Sequence, residues 1–242
     1  MSIDLNGHSA LVTGATQGVG AAIAAAFESA GAAVLRHGLD GGDIEQDLMH
    51  DPVVAARSLA DQAFERAPGL DILVCNAGTY IDQPFLEMEP EVFDRTMKLN
   101  VYSTFFLAQA VARRWVADGT RGRMVLVGSI NGILAEPDHS AYDTSKGAIE
   151  MMVKSLCVSL APHGIRVNGL APGLFETPLT AGALADPALR SWMAKHTPNG
   201  EVPGPDVCGD AAVYLVSDAA RHVHGHMLRV DGGMSAWQQP DP

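Results

Sequence analysis

Apolar residues fall along the chain in short runs, separated by longer stretches in which they recur at helical spacing. The runs predict strands at 9–13, 32–37, 71–75, 123–128, 165–170 and 226–230. The longer stretches predict helices at 18–30, 51–67, 90–117, 141–162, 187–196 and 206–217. A run such as Ile72-Leu73-Val74-Cys75 carries no polar alternation, as a strand covered on both faces should not. Strand and helix alternate throughout, without repeat or low-complexity segment. The expected fold class is α/β, a three-layer, doubly wound parallel sheet in a single domain spanning 1–242.

The first strand runs into Gly14-Ala15-Thr16-Gln17-Gly18-Val19-Gly20, and an alanine-rich helix follows, with Gly31 just past its end. Glycines between strand and helix are the setting of a nucleotide site. Gly14 allows the tight turn, Gly18 lets backbone approach a pyrophosphate, and Gly20 lets the helix pack close to the strand. The helix N-terminus offers free N–H groups to phosphate oxygens. Alone, the same segment reads equally as a turn without a ligand.

A second pattern lies downstream. Tyr142 and Lys146 are four residues apart, on one face of the expected helix, and Ser129 ends the strand before it. A cation beside a phenol favours the phenolate. Lys146 is therefore expected to lower the Tyr142 pKa and ready it for proton exchange with an alcohol or carbonyl. Taken singly, Tyr-x-x-x-Lys is a common surface-helix pair, and Ser129 fits a turn cap.

Together, Gly14, Gly18 and Gly20, Asn76-Ala77-Gly78, Asn100, Ser129, Tyr142, Lys146, Pro172-Gly173 with Thr177, and Val230-Asp231-Gly232-Gly233 occur in an order that resembles the short-chain dehydrogenase/reductase family. The resemblance spans about Leu5 to Gly233 and fits the single-domain branch. It implies a Rossmann fold, an NAD or NADP cofactor, and a substrate that is an alcohol or ketone. By the resemblance, Tyr142 is general acid and base, Ser129 bonds the substrate oxygen, Lys146 also bonds the nicotinamide ribose, and Asn100 holds a water linking Lys146 to solvent. Cofactor contacts are implied for Gly14, Thr16, Gln17, Gly18, Val19 and Gly20 at the phosphates. Asp47 and Leu48 are placed beside the adenine, and Asn76, Ala77 and Gly78 along the adenosine. Pro172, Gly173, Phe175 and Thr177 are placed at the nicotinamide with Asn100, Tyr142 and Lys146. Phe175 replaces an aliphatic family residue and is expected to narrow the pocket. A dinucleotide-binding sensor with vestigial catalysis is the alternative from another class, and dehydration or epimerisation on the same fold a third.

The residue that chooses between the dinucleotides falls at Gly38, which has no side chain. Arg36 faces the same side of the strand and Asp40 follows, so NAD and NADP both stay open. The chain carries 16 basic and 28 acidic residues, net −12, which argues against a nucleic-acid partner. No apolar run reaches membrane-spanning length, and the first strand follows Met1 closely, so no membrane association and no leader are expected. Cys75, Cys157 and Cys208 lack metal-ligand spacing and read as core thiols of a cytoplasmic protein. His222, His224 and His226 alternate without further ligands, so no metal is expected.

Substrate contacts are expected from 80–86, 130–140, 174–200 and the tail after Gly233. Segment 174–205 mixes Phe175, Leu179, Leu184, Trp192 and Met193 with Pro and Gly, and reads as a lid. Arg190 and Lys195 are its only candidates for an anion, so a neutral ketone or secondary alcohol is the first expectation, with sugars, thioesters and steroid-like ketones open. His139 lies near the pocket, either lining a loop or touching substrate. Val101 to Val116 is apolar beyond one face, which points to a helix-mediated homodimer or homotetramer.

Overall fold

The strands β1 (Ser9–Thr13), β2 (Ala33–Gly38), β3 (Ile44–Glu45), β4 (Ile72–Cys75), β5 (Arg123–Val127), β6 (Arg166–Pro172) and β7 (Met227–Val230) are all parallel. In the computed structural model, which describes residues 3–178 and 180–237, they form one sheet in the order β3-β2-β1-β4-β5-β6-β7. Leu179 and the last five residues of the tail lie outside the described residues.

Helices cover both faces. Helices α2 (Pro52–Arg66), α4 (Ser103–Asp118) and α5 (Ser140–Leu160) pack on one side over Leu11, Leu73, Met124 and Val167. On the other side, α1 (Gly18–Ser29) and α8 (Val207–Val216) bury Val12, Val74, Val125 and Leu170. Successive strand residues thus feed opposite cores, which explains the unbroken apolar runs. The order reverses between β1 and β4, and the loops after these two strands meet at the same end of the sheet, the place where open α/β folds bind ligands.

Local signals set the ends of the helices. Asp51 accepts a hydrogen bond from the Val54 amide with Pro52 at the first helical position, and Gly119 closes α4 in the left-handed region at φ 70°. Trp115 is fully buried, and its indole N–H donates to the Leu70 carbonyl at 2.6 Å.

Two features differ from the sequence expectation. Strand β3 is only two residues long, too short for any periodic signal. The helix expected at 90–117 is α3 (Pro90–Met97) and α4, joined by a π-helical turn at Lys98–Tyr102. No glycine or proline marks that turn, and Asn100 sits at its middle.

The 174–205 segment holds two further helices, α6 (Ala181–Leu184) and α7 (Pro187–His196), the latter capped by Asp186. His222 to His226 precede β7 in a turn, and no metal-binding cluster occurs among the described residues.

Candidate active site

The glycine turn is held from behind. Thr13 Oγ1 accepts the amides of Asn76 at 2.9 Å and Ala77 at 3.0 Å. The Asn76 side chain donates to the carbonyls of Thr13 and Gly14, each at 3.0 Å. Asn76 therefore clamps the turn, and its amide hydrogens are engaged there. Gly14 (φ 61°) and Gly18 (φ 56°) take conformations that side chains resist. A Cβ on Gly20 would stand 2.2 Å from the Gly14 carbonyl oxygen, so this glycine is required by close approach.

Helix α1 starts with no side-chain cap and no acidic residue in its first turn. Its free N–H groups and positive end are left for an anion. An uncapped helix behind a rigid glycine turn fits a dinucleotide pyrophosphate. Thr16, Gln17 and Val19 lie on this turn, where the sequence placed them.

The ribose end carries an unexpected constraint. A Cβ on Gly38 would meet Thr16 Cγ2 at 2.5 Å, so no acid fits there unless Thr16 moves. Arg36 is engaged: its guanidinium bonds Glu28 at 2.8 and 3.1 Å and the Ala15 carbonyl at 3.3 Å. His37, between them, donates from Nε2 to the Gln46 carbonyl at 3.0 Å, and burial pushes its pKa down.

Of the two residues expected beside the adenine, Asp47 caps its own turn through the Met49 amide at 2.8 Å, and Leu48 is buried in the core. Phe175 is likewise a core residue, packed with Leu170 and Val213, so it does not narrow the pocket. Its side chain follows the apolar side of the chain leaving β6. Pro172 ends β6, and a Cβ on Gly173 would stand 2.7 Å from Asp231 Cα. Thr177 bonds Thr180, and with Pro178 it lies 3.9 Å from where a Gly18 side chain would begin, so segment 174–205 meets the glycine turn. A cavity of about 370 Å³ opens within this segment, lined by Glu176, Thr177, Pro178, Ala181, Leu184, Ala185 and Arg190.

The structure brings Ser129, Tyr142, Lys146 and Asn100 together at the carboxyl ends of β4 and β5. Ser129 stands near enough to Tyr142 to favour its ionised form, and its own Oγ donates to Asn131 Oδ1 at 3.3 Å and accepts the Asn131 amide at 3.1 Å. Lys146 is buried and donates to the Val127 carbonyl at 3.2 Å. Its Nζ lies 5.5 Å from the Tyr142 ring centre, over the face of the ring.

One expectation is corrected here. Desolvation pushes the Tyr142 pKa up to about 12, the nearby Ser129 hydroxyl pulls the other way, and Asp143 and Glu136 raise it further. Burial also lowers Lys146 to about 8. Desolvation of both groups outweighs their attraction, because the ammonium faces the ring and a backbone carbonyl, not the phenol oxygen.

Asn100 Oδ1 accepts the Thr79 amide at 2.7 Å, and Nδ2 donates to the Thr79 carbonyl at 2.9 Å and to Ser145 Oγ at 3.0 Å. Ser145 in turn donates to the Tyr142 carbonyl at 2.7 Å. Both Asn100 amide hydrogens are thus engaged in holding the Thr79 loop against the catalytic helix.

Residues of the segments 80–86 and 130–140, from which substrate contacts are expected, meet beside Tyr142. Tyr80 sets its ring edge-on to Tyr142, with centres 5.2 Å apart at 86°, and its hydroxyl bonds His139 Nε2. Asp82 and Glu136 flank the same imidazole, and Asn131 ties Glu136 to Asp143 at 3.0 and 2.9 Å. Only His139 had been singled out, since the others come from loops without a spacing signal.

A glycine turn at a sheet reversal and an uncapped helix, with Ser129, Tyr142 and a buried Lys146 at the same end of the sheet, suit an oxidoreductase that works with a nicotinamide dinucleotide on CH–OH or C=O groups. The chain belongs to the short-chain dehydrogenase/reductase family, and the family model described as enoyl-(acyl carrier protein) reductase matches residues 14–235. It is 34% identical to gluconate 5-dehydrogenase of Gluconobacter oxydans, covering 96% of each chain. It is 35% identical to bovine (Bos taurus) L-xylulose reductase, covering 98% of this chain and all of the other. Among solved structures, gluconate 5-dehydrogenase from Burkholderia cenocepacia, in complex with NADP and tartrate, superimposes with a TM-score of 0.90 at 34% identity over 98% of both chains. The cofactor is NAD or NADP.

Proposed function

We propose that the chain interconverts a secondary alcohol and a ketone on a small polyhydroxylated substrate, with Tyr142 passing the proton. The observation that carries this reading is Tyr142 beside Ser129 and under the buried Lys146 ammonium, at the sheet end that also carries the glycine turn. The polyol class rests on the relatives, whose names include gluconate and L-xylulose. A sensor finds no support among them.

The bound dinucleotide supplies or accepts the hydride. In reduction, Tyr142 donates its proton to the carbonyl oxygen as charge develops there, and Ser129 donates a hydrogen bond to the same oxygen. In oxidation, Tyr142 takes the proton back. A phenol at about 12 is a competent acid, and it becomes the base only when positive charge enters the site. Lys146 lies over its ring and is the protein's own source of that charge. Asn100, through Ser145 and Thr79, fixes where Tyr142 stands.

Segment 174–205 acts as the lid, since it meets the glycine turn and carries the cavity within its own folds. Tyr102 in the π-helical turn, Phe105 and Val116 on α4, and Met151 and Val158 on α5 are exposed apolar residues that suit burial in a homodimer or homotetramer. No helix among the described residues is long and apolar enough to cross a membrane, and three free thiols suit a reducing cytoplasm.

Loss of absorbance at the reduced nicotinamide band, with a panel of ketoses and ketones, tests the reading. Turnover is expected with at least one polyhydroxylated ketone. Tight dinucleotide binding with no turnover of any carbonyl or alcohol would return the sensor.

A further inference from the structure

Resting on that reading, we infer that the substrate is a neutral ketose and its polyol, and that Asp82 and Glu136 turn away sugar acids. The wall beside the Tyr142 hydroxyl is built by Tyr80 and His139. Tyr80 stands edge-on to both rings, 5.2 Å from Tyr142 and 4.9 Å from His139. Its hydroxyl bonds His139 Nε2, which also lies 3.4 Å from Asp82 Oδ1. His139 Nδ1 lies 3.2 Å from Glu136 Oε2, but out of line, and makes no hydrogen bond.

Charge decides what this wall accepts. Two carboxylates flank one imidazole, so the group is negative whether His139 is protonated or neutral. Asp143, held through Asn131, adds a third carboxylate behind Ser129. On the lid side, the Arg190 guanidinium is already paired with Glu176. The Lys146 ammonium lies over the Tyr142 ring and is bonded to the Val127 carbonyl, so an aldonate carboxylate that reaches beyond Tyr142 to the His139 wall meets like charge there and finds this arginine taken. Substrate hydroxyls, by contrast, find acceptors in Asp82 and Glu136 and a donor or acceptor in Tyr80.

Reduction here adds a hydride to the ketose C2 carbonyl carbon and the Tyr142 proton to its oxygen, while one reduced dinucleotide is oxidised. The test is kcat/KM for L-xylulose and for 5-keto-D-gluconate, each with NADH and NADPH. The neutral ketose is expected to be preferred at least about 30-fold, as juxtaposed like charges can impose. Asp82→Asn with Glu136→Gln is expected to shrink that ratio at least about fivefold, since the acids and not the shape set it. If this variant does not fold, the wild-type ratio still decides. Equal or faster turnover of 5-keto-D-gluconate overturns the inference and leaves the Tyr142 chemistry standing. So does reduction of a simple ketone such as cyclohexanone with neither sugar turned over. No turnover with any carbonyl removes the function itself, and this inference with it.

Discussion

The two sides of the active site are built by different means. On the dinucleotide side, backbone does the work: Gly14, Gly18 and Gly20 shape the turn, and Thr13 and Asn76 lock it through four hydrogen bonds to main chain. On the substrate side, side chains from separate loops meet. Tyr80 and Asp82 follow β4, Asn131, Glu136 and His139 follow β5, and the lid follows β6. A locked backbone gives one shape to every member that keeps its glycines. A wall of side chains can change its charge one residue at a time. Changes on the first side should therefore damage binding and folding together, and changes on the second should alter which substrate reacts.

Tyr142 stands where the two sides meet, and its loss should have the largest effect. Tyr142→Phe keeps the ring against Tyr80 and removes only the proton. A fall in kcat of about 10³ is expected, in the range of general acid–base catalysis, with dinucleotide affinity little changed. Wild-type turnover in this variant would dissolve the mechanism.

Gly20→Ala probes the locked side. Its new methyl would stand 2.2 Å from the Gly14 carbonyl, a backbone atom that cannot swing away. Overpacking of this kind costs about 1–3 kcal/mol, so thermal melting should fall and the dinucleotide dissociation constant should rise together. A stable variant with unaltered affinity would show that the turn is not locked.

Lys146 offers a pH test that touches neither substrate nor lid. Its folded pKa is lowered from 10.5 to about 8 by burial. Between those values the unfolded chain holds a proton that the folded chain has released, so stability rises with pH across this window. The slope has an upper limit of about 1.4 kcal/mol per pH unit, and Tyr142, which ionises later in the folded state, opposes it only above pH 10. Denaturant midpoints from pH 8 to 10 should climb more in the wild type than in Lys146→Met. Parallel curves would mean that the ammonium is not desolvated.

The same contrast explains what the sequence disclosed. Glycine spacing is a direct record of backbone shape, and the Tyr142–Lys146 interval follows from helix pitch, so both were legible. The alternation of runs gave six of the seven strands, whereas β3 is too short to register. The π-helical turn escaped because Lys98-Leu99-Asn100-Val101-Tyr102 carries ordinary helix formers, and only the bonds from Asn100 to Thr79 and Ser145 mark it. A single extra residue in a helix re-aims a side chain, which is where such turns are often found. Spacing also placed Lys146 beside Tyr142 yet misjudged the pKa, because proximity is a matter of sequence and desolvation a matter of packing. The wall of Tyr80, Asp82, Glu136 and His139 was legible only as two segments, 80–86 and 130–140, with His139 alone singled out: its members share no element, and only folding puts them on one imidazole.

The smallest effect should come from Tyr80→Phe, and it separates the two sides most cleanly. The ring stays edge-on to Tyr142, and only the hydroxyl that bonds His139 is lost. Burial and the neighbouring acids push the Tyr80 pKa well above that of an ordinary phenol, so the group is a neutral hydroxyl at any working pH and its removal changes no charge. Truncating one partner of a partly buried hydrogen bond costs about 1 kcal/mol, so KM for the favoured ketose should rise about fivefold. The His139 imidazole, freed on that side, keeps Asp82 at 3.4 Å and stays in place. Nothing in the glycine turn touches Tyr80, so titration of NADPH by protein fluorescence should give the wild-type dissociation constant. A matching loss of dinucleotide affinity would mean that the wall and the turn are mechanically one unit, and that the division drawn between them is wrong.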